Sequence, residues 1–155
     1  MGLRDEIKQN KPFSGIEEEA LLNIQRTSAH IVHYLQQRLK KHGLTESQYN
    51  VLRILRGAGP DGLRCTEIGE RMISRDPDIT RLLERLQRLR FIERRRDAKD
   101  RRVIYTRISG EGLEVLKELD PIVAEDAKSM LRHMNPEKLR VLIGLLEGVR
   151  RGLAA

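Results

Sequence analysis

Ten basic residues lie between Arg85 and Arg107 (Arg85, Arg88, Arg90, Arg94, Arg95, Arg96, Lys99, Arg101, Arg102, Arg107), against Glu93, Asp97 and Asp100, and nine of the ten are arginine. A guanidinium is a planar fork of donors that matches a phosphate or the acceptor edge of guanine, whereas a merely solvated surface would be served equally well by lysine. The excess is local: Arg64 to Arg107 holds 14 basic and 8 acidic residues, and everything outside that span holds 16 and 15. A solvated charged face or an attraction to membrane phosphates would also use such a run, so the elements around it have to decide.

Other chemistry has thin support. No nucleophile elbow, phosphate-binding glycine loop or metal-ligand set occurs, and no catalytic residue, cofactor or metal is expected. His30 and His33 lie three apart in one helical segment with no third ligand indicated, and His42 and His133 stand elsewhere, so helix-surface or pocket histidines are the simpler reading. The single Cys65 can form neither an internal disulfide nor a multi-thiolate site, which agrees with a reducing compartment. A small buried side chain is its default role.

The chain has 155 residues, a formal charge of +7 and 39% hydrophobic residues. That length allows one or two small domains and leaves apolar surface that a partner could cover. The N-terminal MGLRDEIKQNKPF lacks the apolar stretch of a secretory signal, and no apolar run approaches the roughly 20 residues of a membrane span. The expected location is the cytoplasm. Aromatic residues, at 3%, are too few for a platform that stacks single-stranded bases.

Apolar periodicity gives the elements. Residues 1–14 are polar and are expected to be a loose arm. From Ile16 the positions Leu21, Ile24, Ser28, Ile31 and Leu35 make a helical stripe up to the stop at Gly43. Thr45 caps a second helix, with Gln48 completing a capping box and Val51, Leu52 and Leu55 facing inward. A Gly/Pro-rich loop leads to a short third helix from Thr66, TEIGERMI. Asp76 as N-cap with Pro77 in the first turn opens a fourth, whose inward stripe is Ile79, Leu82, Leu83, Leu86 and Leu89; Asp78 has no assigned role. Phe91–Arg96 and Arg102–Ile108, separated by DAKDR, read as a two-stranded hairpin. Ser109 caps a long helix reaching about Met134, which Pro121 is expected to kink or divide, and Asn135 with Pro136 opens a last one.

Two short helices on a tight linker, then an arginine-rich hairpin, make a winged helix-turn-helix, in which the second helix enters the major groove. The fold expected is mainly α with a small β-hairpin wing and a helical dimerisation lobe. From about Ile16 to Val149 the sequence resembles the MarR family of bacterial transcription regulators. The most specific match is ITRLLERLQRLRFIERRRDAKDRRVIYTRISGEG, which is similar to the family's recognition helix, a wing with an Asp-x-Arg element, and an Ile-Ser-x-x-Gly step into the next helix.

The resemblance implies a regulator rather than an enzyme. Its expected lobes are 1–42 (arm and dimerisation helix), 43–108 (DNA-binding lobe) and 109–155 (C-terminal dimerisation helices). Its partners would be a pseudo-palindromic duplex, a second copy of the chain and a small anionic aromatic effector that releases it, and its role would be that of a repressor. The alternative is a winged-helix module whose basic face binds RNA or an acidic protein. Contacts to DNA are expected from Arg75, Thr80, Arg81 and Arg85 on the recognition helix, Arg81 toward a base edge and Thr80 toward a phosphate. In the wing, Arg102 would enter the minor groove, with Lys99 and Arg101 against the backbone and Arg96 a further contact. Asp100 would brace the hairpin tip by a cross-strand ion pair with Arg94. For the effector, His33, Tyr34, Tyr49 and Arg53 stand beside apolar stripes near the lobe boundary, where Arg53 could meet a carboxylate.

Overall fold

The structure is a computed structural model that describes residues 2–74 and 78–153. Its described elements are α1 (Leu3–Glu6), α2 (Ile16–Lys40), α3 (Glu46–Ala58), β1 (Leu63–Arg64), α4 (Cys65–Arg71), α5 (Ile79–Arg88), β2 (Ile92–Arg96), β3 (Ile104–Ile108), α6 (Gly110–Leu131) and α7 (Pro136–Leu153). They fall into two compact units, up to Leu116 and from Lys117 onward.

In the first unit α3 is the central helix. Its start is the expected capping box: Gln48 N–H donates to Thr45 Oγ1 at 3.2 Å and Thr45 N–H to Gln48 Oε1 at 2.9 Å. These bonds satisfy two backbone donors that the first turn would otherwise leave open. Val51, Leu52 and Leu55 are fully buried, and Ile68 of α4, Leu83 and Leu86 of α5 and Leu116 of α6 are buried as completely. Asn50, buried in the same helix, accepts the Ile73 N–H at 2.9 Å and so fixes the segment after α4 onto α3.

The hairpin is one strand larger than the sequence pattern suggests. β1 pairs antiparallel with β3, giving the order β1-β3-β2. Two residues are too short to show an alternating pattern, and only pairing to β3 makes them a strand. Gly62, with φ +75°, makes the approach possible, since a Cβ there would collide with the Thr106 carbonyl. Ile92, Arg94 and Arg96 share one face of β2; Ile92, and Thr106 opposite Arg94 on β3, are buried.

Three expectations need correction. The N-terminal segment contains a short helix with Leu3 buried rather than being a loose arm throughout. α6 is not divided at Pro121 but runs through it. α4 starts at Cys65 and ends at Arg71, where Met72 turns extended, so TEIGERMI is helical only in part.

The start of α6 is tied to the end of α5. Ser109 Oγ donates to the Arg90 carbonyl at 2.6 Å and accepts the Gly112 N–H at 3.0 Å, and the Ser109 N–H donates to the Phe91 carbonyl at 3.0 Å. Gly112 lies so close to Phe91 that a Cβ would penetrate its carbonyl oxygen and press on Ile108. The Ile-Ser-x-x-Gly sequence thus has a local cause: a hydroxyl that bridges two chain segments and a glycine that lets them touch.

In the second unit α7 opens as expected, with the Lys138 N–H donating to Asn135 Oδ1 at 2.9 Å. Leu119 and Asp126 are buried, but no residue of α7 is.

Gly112→Ala should lower stability by about 1–3 kcal/mol, the usual cost of forcing atoms into a packed site. For a domain of this size that corresponds to a Tm lower by roughly 2–4 °C per kcal/mol. Gly110→Ala, where a Cβ meets nothing within 4 Å, is the control, and calorimetry showing equal losses for both would contradict the close approach.

Candidate nucleic-acid interface

Helix α5 buries Leu82, Leu83 and Leu86 and leaves Thr80, Arg81, Arg85 and Arg88 exposed. Arg81, Arg85 and Arg88 follow steps of four and three, so they share one face, opposite the leucines. The helix opens at Asp78, whose Oδ1 accepts the Arg81 N–H at 3.2 Å. Asp78 is therefore the N-cap, the role expected of Asp76. Arg75, Asp76 and Pro77 lie outside the described residues. The Arg81 guanidinium is 4.0 Å from the Asp78 carboxylate, with both side chains more than half exposed. Such a pair is weak and open to exchange with another anion.

The wing is ordered by backbone geometry. Asp97 Oδ1 accepts the N–H groups of Lys99 at 2.7 Å and Asp100 at 2.9 Å, and Asp97 N–H donates to the Val103 carbonyl at 2.9 Å. The Asp97 carboxyl is held below its usual value because the Asp100 N–H, then the Lys99 N–H, bonds to its ionised form. The expected ion pair between Arg94 and Asp100 does not form among the described residues. Asp100 Oδ1 instead accepts the Arg102 N–H at 2.9 Å. Asp100 is a turn former, because its side chain reaches the backbone two residues on more readily than the guanidinium across the hairpin.

The cross-strand ion pair of the hairpin is Glu93 with Arg107. These residues oppose each other in the ladder, and Arg107 Nε and NH2 both donate to Glu93 Oε2, at 2.9 and 2.7 Å. The pair borders a cleft of about 410 Å³ that Arg56, Ile108 and Leu113 also line. Neither residue was a candidate from the sequence, although their equal distances from the hairpin centre carry the signal. Arg96, Lys99, Arg101 and Arg102 are all exposed around the tip, whereas Arg94 is half-buried on the inner face. Recognition-helix and wing arginines thus stand on one compact unit, with α5 packed on β2.

Of the residues proposed for an effector, Tyr49 is buried, and the Arg53 guanidinium lies 5.8 Å from its ring centroid. His33 and Tyr34 are exposed on α2. Among the described residues no three His, Cys, Asp or Glu side chains are grouped to hold a metal ion, and no helix is long and apolar enough to cross a membrane.

Comparison with known proteins agrees with this geometry. The MarR family profile matches residues 42–103, and the chain is 31% identical over 108 residues to the helix-turn-helix transcriptional regulator YkoM of Bacillus subtilis, covering 70% of this chain and 69% of that one. The chain belongs to the MarR family. A MarR transcription factor from Planctomyces limnophilus has a crystal structure that superposes with a TM-score of 0.68 at 32% identity, covering 88% of this chain and 98% of that chain. The fold is also that of Sco3205, a MarR family regulator from Streptomyces coelicolor solved in complex with DNA, at a TM-score of 0.78, 22% identity and coverage of 95% and 94%. This MarR protein is accordingly a transcriptional regulator and not an enzyme.

The sign of the wing's pH response follows from Asp97. Its folded pKa is lowered, so the stabilisation is present above the unfolded value of 3.8 and is lost as pH falls through the folded one. Asp97→Ala should mobilise the tip at neutral pH, with amide order parameters for 98–102 falling below about 0.6, and should weaken duplex binding although it removes a negative charge. Asp100→Ala, which loses one backbone bond, should disturb the tip less. Equal order parameters in wild type and Asp97→Ala would contradict this assignment.

Proposed function

We propose that this MarR regulator binds a pseudo-palindromic duplex as a homodimer, with α5 in the major groove and the wing tip over the minor groove. The observation that carries the reading is the solvent face of α5. A helix whose other side is leucine core presents Arg81, Arg85 and Arg88 in line, next to an ordered hairpin tip bearing Lys99, Arg101 and Arg102. Such a helix supplies forked donors at groove depth, and the tip supplies cations a short distance to one side. Arg81 reads a base edge, Thr80 and Arg85 hold phosphates, and Arg102 enters the minor groove. Arg75 belongs to the same set by sequence. Arg94 and Arg96 add charge along β2, Lys99 and Arg101 contact the backbone, and Asp100 shapes the turn that presents Arg102.

Dimerisation is supported by what the helical unit leaves uncovered: Val141, Ile143, Leu145 and Leu153 of α7 are 55–80% exposed. An apolar surface of that kind on a regulator is a partner site. The lobes proposed are 1–42 and 109–155 for dimerisation and 43–108 for DNA. A protein acting on the chromosome works in the cytoplasm of a bacterial cell. We further read it as a repressor released by a small anionic aromatic effector near His33, Tyr34, Tyr49 and Arg53, which the Tyr49–Arg53 contact supports.

Selection of random duplexes by the purified protein, followed by sequencing, should yield an inverted repeat. A single-stranded RNA ligand preferred over any duplex would refute the reading in favour of RNA binding. On the selected duplex, Arg102→Ala should weaken binding and lower the salt slope by about one unit, while Arg81→Ala should cost about 1–3 kcal/mol and relax preference at one base pair. Sedimentation at micromolar concentration should show a dimer; a folded monomer would refute that part.

A further inference from the structure

One buried polar atom of the wing has no protein partner: Arg94 Nε. A buried donor left unpaired destabilises a fold, so such an atom ordinarily has a ligand, ion or water against it. The register opposite Thr106 places Arg94 on the inner face of the sheet, toward β1 and α4. There it lines a cleft of about 280 Å³ together with Arg64, Cys65, Thr66 and Arg102. Three arginines and no acidic residue line this space. Glu67 accepts from the Arg64 N–H at 2.9 Å and from Arg64 Nε at 3.1 Å, which fixes the start of that side chain and leaves its terminal nitrogens for another acceptor.

Cations gathered around a partly desolvated space call for an anion in it. The arginines around this one come from β1, from β2 and from the wing turn. A planar carboxylate presents its acceptors to one fork, whereas a tetrahedral oxyanion presents oxygens in several directions at once. We infer that this cleft is a phosphate seat, held by Arg64 and Arg94 with the Thr66 hydroxyl as a further donor and Arg102 at its rim. The phosphate has two sources, the backbone of bound DNA and a free oxyanion. Only the first rests on the DNA-binding reading given above. Arg64 and Thr66 lie outside the recognition helix and wing, so the seat would extend the basic surface to the beginning of α4.

Cys65 lines the same cleft and is the chain's single thiol, so its alkylation reports on occupancy. The full-length protein is treated with iodoacetamide, a neutral reagent, in chloride, in inorganic phosphate at matched ionic strength, and with a mixed-sequence duplex at low salt. Each rate is referred to the same variant in chloride. Phosphate at millimolar concentration should slow labelling threefold or more, and Arg64→Gln and Arg94→Gln should each abolish the protection. Should Arg94→Gln fail to fold, Arg64→Gln and Thr66→Val, both at exposed positions, make the same test. Protection by duplex as well, lost in the same variants, supports a backbone phosphate in the seat. Protection by phosphate that bound duplex does not reproduce supports a free oxyanion. Phosphate protection that survives Arg64→Gln and Arg94→Gln overturns the inference. So does duplex protection alone that survives them, which is mere occlusion. Absence of any protection while anisotropy still shows duplex binding overturns the seat and leaves the DNA-binding reading standing.

Discussion

The close contact around Ser109 is the constraint on which the DNA-binding unit depends. One hydroxyl bonds to the carbonyl that follows α5 and to the first turn of α6, while its own N–H bonds to Phe91 at the head of β2. Helix, sheet and departing helix meet there, and Gly112 lets the backbones touch. Arg90, with φ +63°, turns the chain between α5 and β2. An arginine in that conformation is unfavourable by itself, so bonds on both sides have to hold it. The angle between recognition helix and wing is thus set by the few bonds that join Ser109 to Arg90, Phe91 and Gly112, not by the arginines that would use it.

This division matters because the arginines cannot hold the wing. Glu93–Arg107 places two donors on one carboxylate oxygen yet is about half exposed on both sides, and a pair of that kind contributes about 0–1 kcal/mol. Arg64–Glu67 is as open on the arginine side. Against that stands the mutual repulsion of the remaining guanidiniums. The hairpin is ordered instead by its five-residue ladder with β3, by the added strand β1, and by Asp97 closing the turn. Such bonds are insensitive to the charge outside, so the tip can carry unpaired cations and stay shaped. An anion arriving at the surface then replaces weak exposed pairs and solvent rather than structural bonds.

The pattern of helices was legible because each has a local signature: a capping box at Thr45, Asn-Pro before α7, glycine stops and a leucine stripe on α5. What escaped was non-local. β1 is too short for periodicity and exists only by pairing to residues some forty positions later. The bond from Ile73 to Asn50 spans 23 residues. The Asp-Pro pair pointed to Asp76 as the cap, and only the backbone shows the helix opening at Asp78. The Arg94–Asp100 pair was implied by the family resemblance, yet side-chain reach favours local backbone donors for a short aspartate. Composition found the basic surface; register, which composition does not contain, decided which charges meet.

The two units differ in how far each satisfies itself. The DNA-binding unit has a core in which side chains from α3, α4, α5 and the sheet are fully buried. In the other unit, α7 runs 18 residues without burying one of them. Helix stability in proteins comes mostly from packing an apolar face, so α7 is the element whose order most needs a surface from outside. If a second copy supplies it, folding of that unit is tied to association, and the helices that cannot stand alone become the spacer between two recognition helices that can. The stability of the reading head would then be independent of concentration, while the distance between two heads, which a palindrome requires, would exist only in the assembled state.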